Sequence, residues 1–270
     1  MPLRPMIALA LAVLPVAAVA QDYTLPAPVQ TAPYGAADTP DLVFTLEAGL
    51  SSKPEYFGSG DYEIGPSFGL GFGYVNLAGR GFGSPDPTNP GSGLGFRGSF
   101  RYITDRDSGD HDELTGLDDV DATYELGAGL GYRSDYFDAF ADVRYGIGGH
   151  ESFVGEVGAD AKINPTDRLT LSLGPRVLIG SDDYAATYFG VSDEEAAQSN
   201  FSSYDAEGGV LSAGLELGAT YDVTDTWGVE GAVTWDRFTG DAESSPIVEQ
   251  GDRDQYGLRI GVTRLITLDF

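Results

Sequence analysis

The stretch DATYELGAGLGYR, residues 121–133, alternates without a break. Ala122, Tyr124, Leu126, Ala128, Leu130 and Tyr132 fall on one parity; Asp121, Thr123, Glu125, three glycines and Arg133 fall on the other. A period of two places successive side chains on opposite faces of a strand, so this segment has one apolar and one polar face. The pattern recurs at 153–163, where Phe153, Val157, Ala159, Ala161 and Ile163 alternate with Ser152, Glu156, Asp160 and Lys162. It recurs again at 169–179, and near 42–50, 64–75, 92–104, 136–147, 209–223, 227–237 and 254–270. Ten strands are predicted. Twelve stay open if 74–83 (YVNLAGRGFG) and 187–191 (TYFGV) are strands of their own. Eleven is rejected, because an odd number of crossings would leave the C-terminus on the far side.

Alternation alone would also suit a soluble sandwich or a small closed barrel with an apolar interior. The apolar face here is broad and carries aromatic residues near strand ends, Tyr124, Tyr132, Tyr145, Tyr221, Trp227 and Trp235, as girdles at two membrane interfaces require. The polar face mixes both signs of charge with glycine: Glu125, Arg133, Asp142, Arg144, Glu156, Asp160, Lys162, Arg176, Glu216 and Glu230 form a predicted lumen charge network. Several segments reach the ~9–11 residues of a tilted membrane strand. The expected fold is all-β, a transmembrane antiparallel up-and-down β-barrel of the outer-membrane type, at residues 41–270.

Ahead of it, Arg4 precedes an apolar run at 6–19, and Ala18, Val19 and Ala20 supply a small-residue cleavage site. A signal peptide at 1–20 is expected, and residues 21–40, rich in proline and alanine, read as a flexible periplasmic lead-in. At the other end Leu258, Ile260, Val262, Ile266, Leu268 and Phe270 share one face, interrupted by Arg264. Ile266, Leu268 and Phe270 are the expected signal for the barrel assembly machinery. Tight turns at 134–135, 164–167 and 223–226 against long segments at 51–63, 105–120, 181–208 and 238–253 place the long ones outside the cell and both chain ends in the periplasm. The proline-rich 84–92 becomes a long periplasmic turn.

Other chemistries find little support. A formal net charge of −27 leaves no basic surface for nucleic acid, and the absence of cysteine removes disulfides and thiol catalysis. His111, between Asp110 and Asp112, is the one arrangement resembling a general base, but it lies in a loop with seven acids between 105 and 120 and reads as part of a solvated charge run. The 181–208 loop also holds seven acids and no base; divalent cations bridging to lipopolysaccharide are one reading, and simple solvation is the other. GAGLG at 127–131 sits inside a strand with no helix behind it and is not a phosphate loop. No catalytic residue, metal ligand or cofactor is expected.

Five stretches resemble, in order and spacing, the MipA/OmpV family of outer-membrane proteins. They are YFGSGDYEIGP at 56–66 (Tyr56, Gly58, Ser59, Tyr62, Pro66), GLDDVDATYELG at 116–127, TYFGV at 187–191 (Tyr188, Phe189, Gly190), YDAEGG at 204–209 (Tyr204) and GDAESSPIV at 240–248 (Gly240, Asp241, Ser245, Pro246). The ending TLDF and the very acidic loops depart from the usual pattern. The resemblance implies a non-catalytic scaffold that links murein synthases and hydrolases to the outer membrane of a Gram-negative bacterium; a narrow solute channel or a surface adhesin are its alternatives. Outer-membrane lipid and lipopolysaccharide are the surroundings such a barrel implies.

Overall fold

The computed structural model describes residues 40–77, 79–84 and 92–269, within the unit Tyr34–Phe270. The expected signal peptide, the lead-in up to residue 39, most of the 84–92 turn and Phe270 lie outside the described residues.

Eleven antiparallel strands form one curled sheet: β1 (Leu42–Pro54), β2 (Tyr62–Leu77), β3 (Arg80–Gly83), β4 (Gly93–Ile103), β5 (Thr123–Arg133), β6 (Phe137–Gly148), β7 (Phe153–Thr166), β8 (Leu169–Gly180), β9 (Gly209–Asp222), β10 (Trp227–Phe238) and β11 (Asp254–Leu268). The spatial order is β3-β2-β1-β11-β10-β9-β8-β7-β6-β5-β4, and the curl brings β4 back beside β2 and β3. First and last long strands are stitched together, from Leu42 opposite Leu268 to Ser52 opposite Leu258. The curl sets the sheet's two edges side by side without a ladder between them, so little edge is left for a bilayer, which does not tolerate unpaired backbone.

The ten expected strands are all present, and the eleventh is an addition. β3 folds back on the end of β2, with Leu77 opposite Arg80 and Tyr74 opposite Gly83, so it runs antiparallel to β2. Counting through the ladders, β4 runs the same way as β3. The four residues of β3 are therefore the lower start of the same pass that β4 completes, not another crossing. Ten crossings remain, and the start of β1 and the end of β11 lie at the same end of the barrel. Residues 187–191 are not a strand: they close a helix and then form a single bridge from Val191 to Tyr204.

Connections at one end of the barrel are short, at 134–136, 167–168 and 223–226; those at the other end include 104–122, 181–208 and 239–253. We call these the turn end and the loop end. Among the described residues no helix is long and apolar enough to cross a membrane.

The outer surface is apolar. Leu126, Leu130, Val143, Leu217, Val233, Leu258, Ile260 and Val262 all point outward and exposed. Aromatic residues bracket this belt. Tyr102 packs on Tyr124 and Tyr145 on Phe153 near the loop end, while Tyr132, Tyr221 and Trp227 stand at the turn end. Tyr124 and Tyr132 lie eight positions apart on β5, about 26 Å along the strand before tilt, comparable to the ~25 Å apolar band of such barrels. Arg264, which breaks the apolar pattern of β11, sits opposite Trp227 with its guanidinium 4.6 Å from the ring centroid and donates to Thr226 Oγ1. Its charge is carried to the interface by a long stem, as snorkelling allows.

Candidate functional site

The loop end is covered by a packed body of its own. Ser181 caps α1 (Asp182–Phe189) by accepting a hydrogen bond from the Tyr184 amide, and Asp182 and Asp183 complement the helix dipole in its first turn. Tyr184, Ala185, Tyr188 and Phe189, spaced to share one helical face, are buried. They pack with Val154, Leu178, Leu211 and Phe238 from the strands, and with Phe57, Ala242 and Val248 from neighbouring loops. A second cluster joins Tyr56, Leu114, Leu117, Val191, Phe201 and Ile247. The loops of this end thus form a lid with a hydrophobic core.

Hydrogen bonds tie one loop to the next. In α2 (Asp193–Gln198), Ser192 and Glu195 form a reciprocal capping box, and Glu195 also accepts from the Asp118 amide at 2.9 Å. Tyr204 donates its hydroxyl to the Asp241 carbonyl at the start of α3 (Gly240–Ser244). Ser245 caps α4 (Pro246–Gln250), with Pro246 in its first turn. Gly58 takes φ +96°, a left-handed conformation suited to glycine, and donates its amide to Gln255, which donates back to the Ser59 carbonyl. Gly190 donates to Ala186 as α1 ends. Of the residues that carry the family resemblance, Tyr62 and Pro66 lie outside the lid on β2, residues 123–127 lie on β5 with Glu125 in the lumen, and Gly209 opens β9; the Tyr62 hydroxyl still accepts from the Tyr256 amide.

Burial pushes the Tyr184, Tyr188 and Tyr56 phenols up from their ordinary range, so they serve as neutral hydrogen-bonding groups. Burial lowers Arg106. Burial alone would raise Glu195, but hydrogen bonds from the Asp118 and Ser192 amides outweigh it and hold the carboxyl below its usual value. His111 contacts Glu55 at 3.4 Å, Glu113 at 4.0 Å and the edge of Tyr56; its flanking aspartates are not among its partners. Among the described residues no group of three or more His, Asp or Glu is arranged to hold a metal.

Beneath the lid the lumen is crossed by ion pairs. Glu125, fully buried, accepts from Arg101 at 2.9 Å, from Arg144 at 2.7 Å and faces His150 Nε2 at 3.3 Å. Arg101 also donates to the Tyr184 hydroxyl at 2.6 Å, which joins the lumen to the lid. Arg144 reaches Glu156; Arg176 bridges Asp160 and Glu216; Arg259 bridges Glu47 and Glu230; Arg97 meets Asp142 and Lys162 meets Asp138. The structure brings nine of the ten expected network residues into ion pairs, and the tenth, Arg133, lines the lumen at the turn end.

Sequence reasoning missed Arg97, Arg101, Glu47, Asp138, Arg259, His150 and Asp236 as lumen residues. Arg97 and Arg101 share a parity opposite to Leu94, Phe96, Phe100 and Tyr102, so the same alternation marks them. Two chambers remain around these pairs. One, about 330 Å³, lies under the lid; the other, about 530 Å³, opens toward the turn end, and Glu156, Arg176 and Glu216 line both.

The chain was compared with known proteins. The profile of the family described as MltA-interacting protein MipA matches residues 46–265. Curated relatives named MltA-interacting protein, from Escherichia coli (strain K12) and Shigella flexneri, are each 30% identical over 153 residues, 55% of this chain. That match spans 59% of the length of those relatives. Among solved structures, the NanC porin aligns with a TM-score of 0.36 at 7% identity over 82% of this chain and 98% of its own. The outer membrane protein OprG from Pseudomonas aeruginosa aligns with a TM-score of 0.30 at 14% identity over 84% of this chain and 97% of its own. With the family profile spanning most of the barrel, this outer-membrane β-barrel belongs to the MipA family.

Proposed function

We propose that the protein is a non-catalytic scaffold that holds murein-degrading or murein-synthesising enzymes at the outer membrane, with the turn end and both chain ends in the periplasm. The observation that carries this reading is the lid: a packed helix with Tyr184 and Phe189 fully buried stands across the loop end, and ion pairs cross the lumen below it. A barrel closed in this way works through its surfaces more readily than through a wide passage. Family membership and the name borne by its curated relatives point to a murein enzyme as the partner.

The partner must then dock on the periplasmic side, where the wall is. The proline-rich lead-in is the favoured segment, since an extended peptide loses little further freedom on binding. The deciding experiment pairs capture of periplasmic murein enzymes by the purified chain with deletion of 23–38. Deletion is expected to leave assembly intact and to weaken capture; substitution of the acids of 105–120 is expected to leave capture unchanged. Loss of capture only when the acids are replaced would move the binding face outside the cell and favour an adhesin. A narrow solute path is the second reading, supported by the two chambers that share three lining residues.

A further inference from the structure

The chamber under the lid has a chemical character of its own. Its walls combine aromatic and aliphatic groups, including Phe57, Phe238 and Leu178, with the charged residues of the lumen. One of those charges stands apart. Asp236, on β10, lines the chamber, yet its carboxylate makes no hydrogen bond or ion pair with any described residue. Its carboxylate lies over Gly214 of the neighbouring strand, where there is no room for a β-carbon.

The charges nearest Asp236 are Glu156, Glu216, Arg101 and Arg176, and Lys53, which also lines the chamber, is paired with Glu63. Neither guanidinium is free to serve it. Arg101 is held by Glu125 and the Tyr184 hydroxyl, and Arg176 by Asp160 and Glu216, while Glu156 is matched by Arg144. Five carboxylates (Glu125, Glu156, Asp160, Glu216 and Asp236) therefore share three guanidiniums (Arg101, Arg144 and Arg176). A deficit of positive charge enclosed by protein is unfavourable, and a cation that enters relieves it.

We propose that this chamber binds a compact organic cation, an ammonium group on a small apolar body, with Asp236 as its counter-ion. The aromatic ceiling selects the class. Phe57 and Phe238 line it, and the Arg101 guanidinium already stands 6.0 Å from the Phe57 ring centroid; an aromatic wall of this kind attracts an ammonium and also accepts its apolar body. A bare metal ion gains little from such walls, because it needs several converging oxygens. A volume of about 330 Å³ holds a small molecule and little more. Entry runs from the turn-end chamber past Glu156, Arg176 and Glu216, the residues common to both spaces. The site depends neither on a murein partner nor on conduction.

The test uses the full chain refolded into amphipol and calorimetric titration with benzylammonium, with neutral benzyl alcohol as the matched probe. Benzylammonium is expected to bind saturably, at least about tenfold tighter than benzyl alcohol. Asp236→Asn is expected to remove that preference and Asp236→Glu to keep it, with benzyl alcohol indifferent to both. Equal binding of benzylammonium to the unaltered chain and Asp236→Asn, or no saturable binding to the unaltered chain, overturns the proposal. Should Asp236→Asn fail to fold, the comparison of the two probes on the unaltered chain decides alone: equal affinity overturns it.

Discussion

Ser245 donates its hydroxyl to the Phe189 carbonyl at 2.7 Å, a buried bond between two loop-end segments across 56 positions. The same oxygen accepts from the Ile247 amide and caps α4. Two loops are thereby fixed by one atom. Ser245→Ala leaves a buried carbonyl and a helix start without partners, a local loss of about 1–3 kcal/mol. The expected outcome is faster proteolytic cleavage within 190–208 and 239–253 with the barrel's heat-modifiable mobility retained; cleavage at the unaltered rate would show that the bond does not hold the lid.

Glu125 is the centre of the lumen network and is wholly enclosed. Glu125→Gln keeps the shape but leaves Arg101 and Arg144 without their shared counter-charge, a change that costs about 3–5 kcal/mol where a buried pair loses one partner. A clear fall in the urea midpoint of unfolding is the expected result.

On the lipid face the effect should depend on depth. Ile260 points outward at mid-height of β11, between Tyr256 near the loop end and Arg264 at the turn end. Ile260→Arg is expected to destabilise the barrel in lipid vesicles by about 2–4 kcal/mol, and Tyr132→Arg, at the girdle, by no more than about 1 kcal/mol. Equal penalties would mean that Ile260 does not face the hydrocarbon.

The Glu195 carboxyl, held below its usual range by two amide donors, contributes to lid stability above the ordinary glutamate value. That contribution is lost as the pH falls below the ordinary glutamate value and through the lowered one. Acid should therefore lower the protection of the Asp118 and Ser192 amides against hydrogen exchange, relative to the intrinsic rate at each pH, and Glu195→Gln should remove the dependence.

The lid also predicts electrical behaviour. The unaltered chain should give no steady current in planar bilayers, whereas replacing 183–206 by a short glycine-serine link, which deletes most of α1 and all of α2, should open one. Current through the unaltered chain would favour the solute-path reading over the scaffold.

The strands were legible because alternation is a local property, and it marks membrane strands cleanly when one face meets lipid and the other a polar lumen. Partnership was not. Arg101 meets Glu125 and Tyr184 across 24 and 83 positions, and no local pattern encodes which residues a closing sheet brings level. The TYFGV stretch suits a strand by composition, yet Ser181 starts a helix ahead of it and burial of Tyr188 and Phe189 in the lid rewards that helix, so tertiary packing overrides local preference. β3 falls inside 74–83, a stretch open to reading as a strand of its own, but four residues are too few for a period to fix its bounds.

The continuous ladder between β1 and β11 carries a last consequence. The sheet runs unbroken across the two ends of the chain, and among the described residues the place without a ladder lies between β2 and β4. The joint that completes this cylinder is therefore internal to the chain. A circular permutant that links the barrel's own ends at residues 41 and 269 and opens between β3 and β4 would keep every observed ladder, and its new termini would fall at the one seam where the wall already has a break.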